Sequence, residues 1–162
     1  MTTLKLTRRE ITAGLALVPL FAIAAGAQTA APAIHVSKDP SCDCCRDWIA
    51  HLRAAGFLVT VTDTRDMAAI KRRLGVPEKL ASCHTAEIGR YVIEGHVPAA
   101  VIVRFVAEKP EGARGLAVPD MPVGSPGMEA AGVPPDTYDV IAFGNFGQRR
   151  YARFEGAREI KV

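Results

Sequence analysis

The first half of the sequence predicts strands and helices in alternation. Apolar residues form a short run over 34–36 and alternate with polar residues over 57–62, as they do in strands. A helix, the second along the chain, is expected after the strand at 57–62, with Asp63 or Thr64 as its N-cap and Gly75 at its C-terminal end. The first helix lies between the two strands, and its apolar face comprises Cys45, Trp48, Ile49 and Leu52. This alternation is typical of an α/β fold with parallel strand pairing.

The second half predicts further strands around a long loop. We predict a short strand over 91–93, a stronger one over 99–105, and a hairpin formed by 138–143 and 150–154. Residues 109–135 are rich in proline and glycine and have no apolar period. A loop of this length inside one compact domain is usually functional, so we expect it to be ordered.

The N-terminus has the pattern of an export signal. Arg8 and Arg9 precede an apolar stretch over 11–25, and Ala27 offers a natural cleavage point. Paired arginines at this place resemble a twin-arginine signal; an ordinary secretory signal and an uncleaved anchor are the alternatives. The apolar stretch is short for a spanning helix, so we expect no stable membrane span after cleavage. The sequence therefore predicts a periplasmic protein with an export signal at 1–27, a linker at 28–33 and one domain at 34–162.

Charge gives no sign of a nucleic-acid or membrane-surface partner. The 162 residues carry a formal net charge of +3, of which +2 belongs to the predicted signal. The remaining charge of about +1 is too small for an electrostatic footprint. No phosphate-binding loop, Ser–His–Asp order or carboxylate pair supports a hydrolase or a nucleotide enzyme.

Four cysteines need an explanation in an exported chain, because thiols outside the cytoplasm tend to oxidise. Three lie in the segment Cys42-Asp43-Cys44-Cys45, and the fourth is Cys83. Two disulfides, with three possible connectivities, are one interpretation. However, closing a very short loop removes little entropy from the unfolded chain, so stability is a weak reason for this clustering.

The helical period places the first three cysteines at a helix N-terminus, where free N–H groups and the helix dipole favour thiolates. Cys42 and Cys45 can share one face of the first turn, and Cys44 joins them only if Cys42 stands before that turn. Such close thiolates suit Cu(I), a soft ion, better than one tetrahedral zinc. Three hypotheses stay open at this point: a copper site, a redox dithiol, and a structural site closed by zinc or disulfides.

Five motifs occur in a fixed order along the chain. They are Cys42-Asp43-Cys44-Cys45 with Trp48, Ser82-Cys83-His84-Thr85-Ala86, Glu94-Gly95-His96-Val97-Pro98-Ala99, Val118-Pro119-Asp120-Met121-Pro122 and Gly124-Ser125-Pro126-Gly127-Met128-Glu129. This set resembles the CopG-type copper-resistance family over about 34–154. One departure is Asp120, where we expect glycine in relatives.

The resemblance implies a thioredoxin-like fold for the domain. We expect a central mixed β-sheet flanked by helices, an inserted loop that carries Cys83, and the long Pro/Gly-rich loop. A cis peptide bond between Val97 and Pro98 would correspond to the proline loop that faces the dithiol in thioredoxin-like proteins. The implied function is periplasmic copper handling, by sequestration or by a change of oxidation state. Several copper ions in a thiolate-bridged cluster would be the ligand, and other periplasmic copper-handling proteins are candidate partners.

The implied site contains eight candidate residues. The expected metal ligands are Cys42, Cys44, Cys45 and Cys83, and the additional candidates, as ligands or as neighbours of ligands, are His84, His96, Met121 and Met128. His35 and His51 are not expected to bind metal. No catalytic residue is assigned. The alternative function is a thiol–disulfide oxidoreductase in which Cys42 attacks and Cys45 resolves.

Overall fold

The computed structural model describes residues 32–161. The predicted export signal at 1–27 and most of the predicted linker lie outside these residues. The described elements, in chain order, are β1 Ala33–Lys38, α1 Asp43–Ala54, β2 Leu58–Asp63, α2 Met67–Leu74, β3 His84–Ile88, β4 Tyr91–Glu94, α3 Ala99–Glu108, β5 Ala113–Ala117, β6 Thr137–Gly144, β7 Gly147–Glu155 and β8 Arg158–Glu159. A single 3-10 turn, Glu78–Leu80, lies between α2 and β3. None of the helices in this part of the chain is long and apolar enough to cross a bilayer.

The strands form one mixed sheet in the order β2-β1-β3-β4-β5-β6-β7-β8. Strands β1 and β2 pair in parallel, as do β4 and β5, and the other neighbours are antiparallel. The predicted mixed α/β architecture is therefore present. The sheet has eight strands, because the long C-terminal hairpin continues it beyond β5.

Helices cover both faces of the sheet. Ile93 packs in the same cluster as α1 and α3, whereas Val92, the preceding residue of β4, packs with Leu74 of α2. Successive strand residues point to opposite faces, so α1 and α3 lie on one face and α2 on the other. The inner face of α1 is the predicted one, since its buried residues are Cys45, Trp48, Ile49 and Leu52.

Residues 99–105, predicted as a strand, are instead the greater part of α3. The buried residues of α3 include Val101, Ile102 and Phe105, which recur with helical spacing. The Pro98 carbonyl accepts hydrogen bonds from the Val101 and Ile102 N–H groups and so starts the helix. The predicted cis bond between Val97 and Pro98 is also wrong, because no peptide bond in the described chain is cis.

Three smaller predictions also need correction. The N-cap of α2 is Asp66, whose carboxylate accepts from the Ala69 N–H, and not Asp63 or Thr64; Gly75 ends the helix as predicted. The 109–135 loop contains β5, a strand that its glycine and small residues conceal. Val61, expected on a buried face of β2, is 38% exposed, because β2 is the edge strand.

Candidate metal centre

The four cysteine sulfurs converge at the N-terminus of α1, with every sulfur within 4.8 Å of the others. Cys42 is the N-cap residue and has an extended backbone, φ −79° and ψ 101°, so it stands before the first turn as convergence requires. Its side chain makes no capping hydrogen bond. Cys83 is the last residue of the loop segment between α2 and β3. The fold therefore brings together two chain segments that are 38 residues apart or more.

Two of the cysteines are oxidised and two are free. A disulfide joins Cys42 to Cys45. Cys44 and Cys83 are free and partly exposed, with their sulfurs 3.8 Å apart. The Cys44 sulfur also lies 3.6 Å from that of Cys42. Reduction of the disulfide is required before all four sulfurs can act as thiolate ligands, because only a thiolate is a strong ligand.

Two imidazoles contact the Cys83 sulfur. His84 Nδ1 lies 3.2 Å from it and His96 Nε2 lies 3.1 Å from it. The Pro126 carbonyl accepts a hydrogen bond from His96 Nδ1, at 2.8 Å. That bond places the proton of the neutral ring on Nδ1, so the lone pair of Nε2 faces the sulfur.

Burial sets the protonation of this group. It raises the pKa of the Cys83 thiol to about 12, and the neighbouring Cys44 adds to the shift. It also lowers the pKa of His84 well below its usual value, with His96 and Lys71 contributing, and it lowers the pKa of His96. Without metal, Cys83 is therefore a thiol at neutral pH and both imidazoles are neutral.

The Met121 segment forms one wall of the centre. Met121 Sδ lies 3.9 Å from the Cys44 sulfur, and this side chain is 48% exposed. Asp120 has φ 59°, in the left-handed region that glycine adopts most readily. Its carbonyl accepts a 2.6 Å hydrogen bond from the Ser82 hydroxyl, which ties the segment to the residue before Cys83.

Met128 is placed differently. Among the described residues, no hydrogen-bond contact joins its sulfur to the cysteines, although its loop covers α1. A Cβ at Gly127 would lie 2.6 Å from the backbone nitrogen of Trp48 and 3.0 Å from the carbonyl oxygen of Cys44. The loop therefore packs directly on the backbone of the cysteine-bearing turn. His35 and His51 lie outside the centre. His35 Nδ1 forms a hydrogen bond with the Thr60 hydroxyl, and His51 Nε2 accepts one from the Ala99 N–H.

An ion pair with a buried carboxylate lies next to the Cys83 segment and was not predicted from the sequence. Glu94, on β4, is fully buried and pairs with Lys71 of α2. Its carboxylate also accepts from the Thr85 hydroxyl at 2.7 Å and from the Ser82 N–H at 2.6 Å. Burial raises the pKa of Glu94, while Lys71 acts against that shift. The available sequence signal was a charged residue ending the apolar strand 91–93, which needs a partner when buried.

Comparisons with known proteins identify the family. A family model described as a protein of unknown function, DUF411, matches residues 80–128, the stretch that contains Cys83, His84, His96, Met121 and Met128. A solved structure described as copper resistance protein CopG, form 2, is 46% identical, covers 76% of this chain and 98% of its own, and superposes with a TM-score of 0.72. The chain belongs to the CopG copper-resistance family.

A second CopG structure, form 1, gives the same result. It is also 46% identical, covers 77% of this chain and 99% of its own, and has a TM-score of 0.71. No curated protein matches significantly. The resemblance predicted from the five motifs is thus confirmed, and the match covers almost the whole length of each CopG chain.

Proposed function

We propose that the protein is a periplasmic copper-binding protein that holds Cu(I) in a thiolate cluster built from Cys42, Cys44, Cys45 and Cys83. The observation that carries this proposal is the convergence of four sulfurs within 4.8 Å of one another. Soft thiolates favour Cu(I), and sulfurs this close can each bridge two ions. The CopG relatives are described as copper resistance proteins, which supports copper as the metal.

The surroundings of the sulfurs suit several ions better than one. The N-terminal end of α1 offsets part of the negative charge of the thiolates. Met121 adds a soft thioether at 3.9 Å from Cys44, and His96 adds a neutral imidazole at 3.1 Å from Cys83. We assign these two, with His84, as peripheral ligands or neighbours of ligands, and Met128 as a residue of the covering loop. The cluster would sequester copper or change its oxidation state, with other copper-handling proteins as partners.

The framework of the domain fits a thioredoxin-like unit. Strands β1 to β4 have the order β2-β1-β3-β4, with β3 antiparallel to its neighbours and helices on both faces. We propose that this unit, extended by β5 to β8, is the exported domain that follows the signal at 1–27.

Metal counting on reduced protein tests the proposal. We expect more than one Cu(I) per chain by native mass spectrometry, and fewer for Cys44→Ser or Cys83→Ser, with unchanged circular dichroism. His84→Ala and His96→Ala should reduce binding less than loss of a thiol. An unaltered copper count in both cysteine variants would contradict the proposal.

The second candidate is a thiol–disulfide oxidoreductase, favoured by the Cys42–Cys45 disulfide at a helix N-terminus. In that reaction the disulfide accepts two electrons and two protons from a substrate dithiol, which becomes a disulfide. Exchange needs this pair but has no evident use for Cys44 or Cys83. An insulin-reduction assay runs this exchange in reverse, with the reduced Cys42–Cys45 dithiol giving two electrons and two protons to an insulin disulfide. Loss of exchange in Cys42→Ser, together with unchanged copper binding in Cys44→Ser and Cys83→Ser, would favour the oxidoreductase.

A further inference from the structure

The disulfide leaves a second group of ligand atoms intact. Closing the Cys42–Cys45 bond removes two of the four thiolates, but Cys83, His84 and His96 are untouched. One ligand atom from each of these three residues lies within 4.8 Å of the other two. The group is continuous with the sulfur cluster through Cys83, yet its composition is different: one sulfur and two nitrogens.

The geometry around Cys83 is close to that of a bound ion. With metal–sulfur and metal–nitrogen bonds of about 2.3 and 2.0 Å, a tetrahedral ion holds its sulfur and nitrogen ligands about 3.5 Å apart. The metal-free separations are 3.1 and 3.2 Å. These two sulfur–nitrogen separations would therefore change by only a few tenths of an ångström if an ion replaced the proton of the Cys83 thiol.

His96 is oriented as a metal-bound histidine commonly is. The Pro126 carbonyl fixes the tautomer and the ring plane of His96, which is the usual arrangement around a metal-bound histidine. His84 is fully buried, and its Nε2 has no hydrogen-bond partner among the described residues. Its other ring nitrogen, Nδ1, lies 3.2 Å from the Cys83 sulfur and is the atom available to an ion.

We propose that the disulfide form of the protein binds one borderline divalent cation through Cys83, His84 and His96. Mixed nitrogen and sulfur donors suit Zn²⁺, Co²⁺ or Cu²⁺, whereas four thiolates suit Cu(I). Cys44, whose sulfur lies 3.8 Å from that of Cys83, could supply a further donor. This inference rests on the proposed function in one respect: Cys83 belongs both to the proposed copper cluster and to this second group of ligands. The oxidised chain then holds a metal that the reduced cluster does not favour.

Cobalt titration tests the inference. The full exported chain is oxidised in air, and Cys44→Ser is introduced so that Cys83 is the one remaining thiol and cannot form a disulfide with Cys44. We expect one Co²⁺ per chain, with a sulfur-to-cobalt charge-transfer band and the intense visible bands of a tetrahedral site. Adding Cys83→Ser should abolish the charge-transfer band. His84→Asn and His96→Asn should each weaken binding by about 10- to 100-fold.

His35→Ala is the matched control, because it removes a partly exposed imidazole that lies outside the group, and it should leave cobalt binding unchanged. Two results would overturn the inference: cobalt binding without a sulfur-to-cobalt band, or an affinity in both His84→Asn and His96→Asn equal to that of the Cys44→Ser parent. If the asparagine variants do not fold, X-ray absorption of the Zn²⁺-loaded Cys44→Ser protein decides instead, with one sulfur and two imidazole shells expected and oxygen-only coordination contradicting the site. Cu(I) counting on the reduced wild-type chain tests the proposed function and does not depend on the cobalt result. The two proposals can therefore fail independently of each other.

Discussion

Cys44 is the residue on which the sulfur cluster is centred. Its sulfur lies 3.6 Å from Cys42, 3.8 Å from Cys83 and 3.9 Å from Met121, so it contacts both sides of the centre. These separations are close to the distance of about 3.8 Å between two thiolates on one tetrahedral ion, although Cys42 must first be released from its disulfide with Cys45. Serine at this position removes the shared donor while keeping the shape of the side chain.

Asp120 holds the backbone turn that presents Met121. Its φ of 59° is tolerated by aspartate but costs a β-branched residue about 1–2 kcal/mol. We expect Asp120→Val to lower the free energy of unfolding by about that amount, while Asp120→Gly changes it by less than about 0.5 kcal/mol, since glycine removes the strain but has a more flexible unfolded chain. Urea unfolding of the metal-free oxidised protein measures both. Equal stability of the two variants would show that the conformation at this residue is not constrained.

At the scale of elements, helix α1 was predictable from sequence and helix α3 was not. The helical spacing of Cys45, Trp48, Ile49 and Leu52 defines the buried face of α1. The same spacing places the three clustered cysteines at the start of the helix. Residues 99–103 are a continuous apolar run, which fits a buried strand and a buried helix equally well by period. Their helical state depends on packing with α1 and the sheet. Strand β5 was missed because Gly115 has no side chain that could contribute to a strand pattern. The glycine is required by packing, since a Cβ there would lie 2.0 Å from the Val92 carbonyl oxygen.

The contact between α2 and β4 includes the ion pair of Lys71 with the buried carboxylate of Glu94. Lys71→Met leaves the Glu94 carboxylate buried without its cation, so we expect a loss of about 3 kcal/mol or more in the free energy of unfolding. Adding Glu94→Gln in the same chain should recover at least about 1 kcal/mol, because an amide needs no counter-charge. Urea unfolding of the wild type, both single variants and the double variant gives the coupling energy. A double variant no more stable than Lys71→Met would mean that the charges are not coupled.

At the scale of the whole molecule, the centre is assembled by strand order. Cys83 and the α1 cysteines are far apart in sequence, and they meet because β3 pairs directly with β1, the strand that precedes α1. His96 follows β4, the next strand of the sheet, so it reaches the same edge. The motifs made these residues candidates, but their distances depend on antiparallel pairing that the sequence pattern did not specify. The parallel pairing of β1 with β2 was the part that local periodicity predicted.

If the chain is exported, as its N-terminus predicts, a route for folded protein would suit this sheet. Long-range strand pairing forms the sulfur centre, so a chain translocated unfolded would meet the oxidising compartment with four unprotected thiols. The paired arginines Arg8 and Arg9 resemble the signal that exports folded proteins. We expect Lys substitution of both to block export and the mature chain to begin near Gln28. Mass spectrometry of the periplasmic fraction measures both effects, with Lys5→Arg as a control that leaves the pair intact. An intact segment 1–27 in that fraction would contradict cleavage, and normal export of the double-lysine variant would contradict the twin-arginine route.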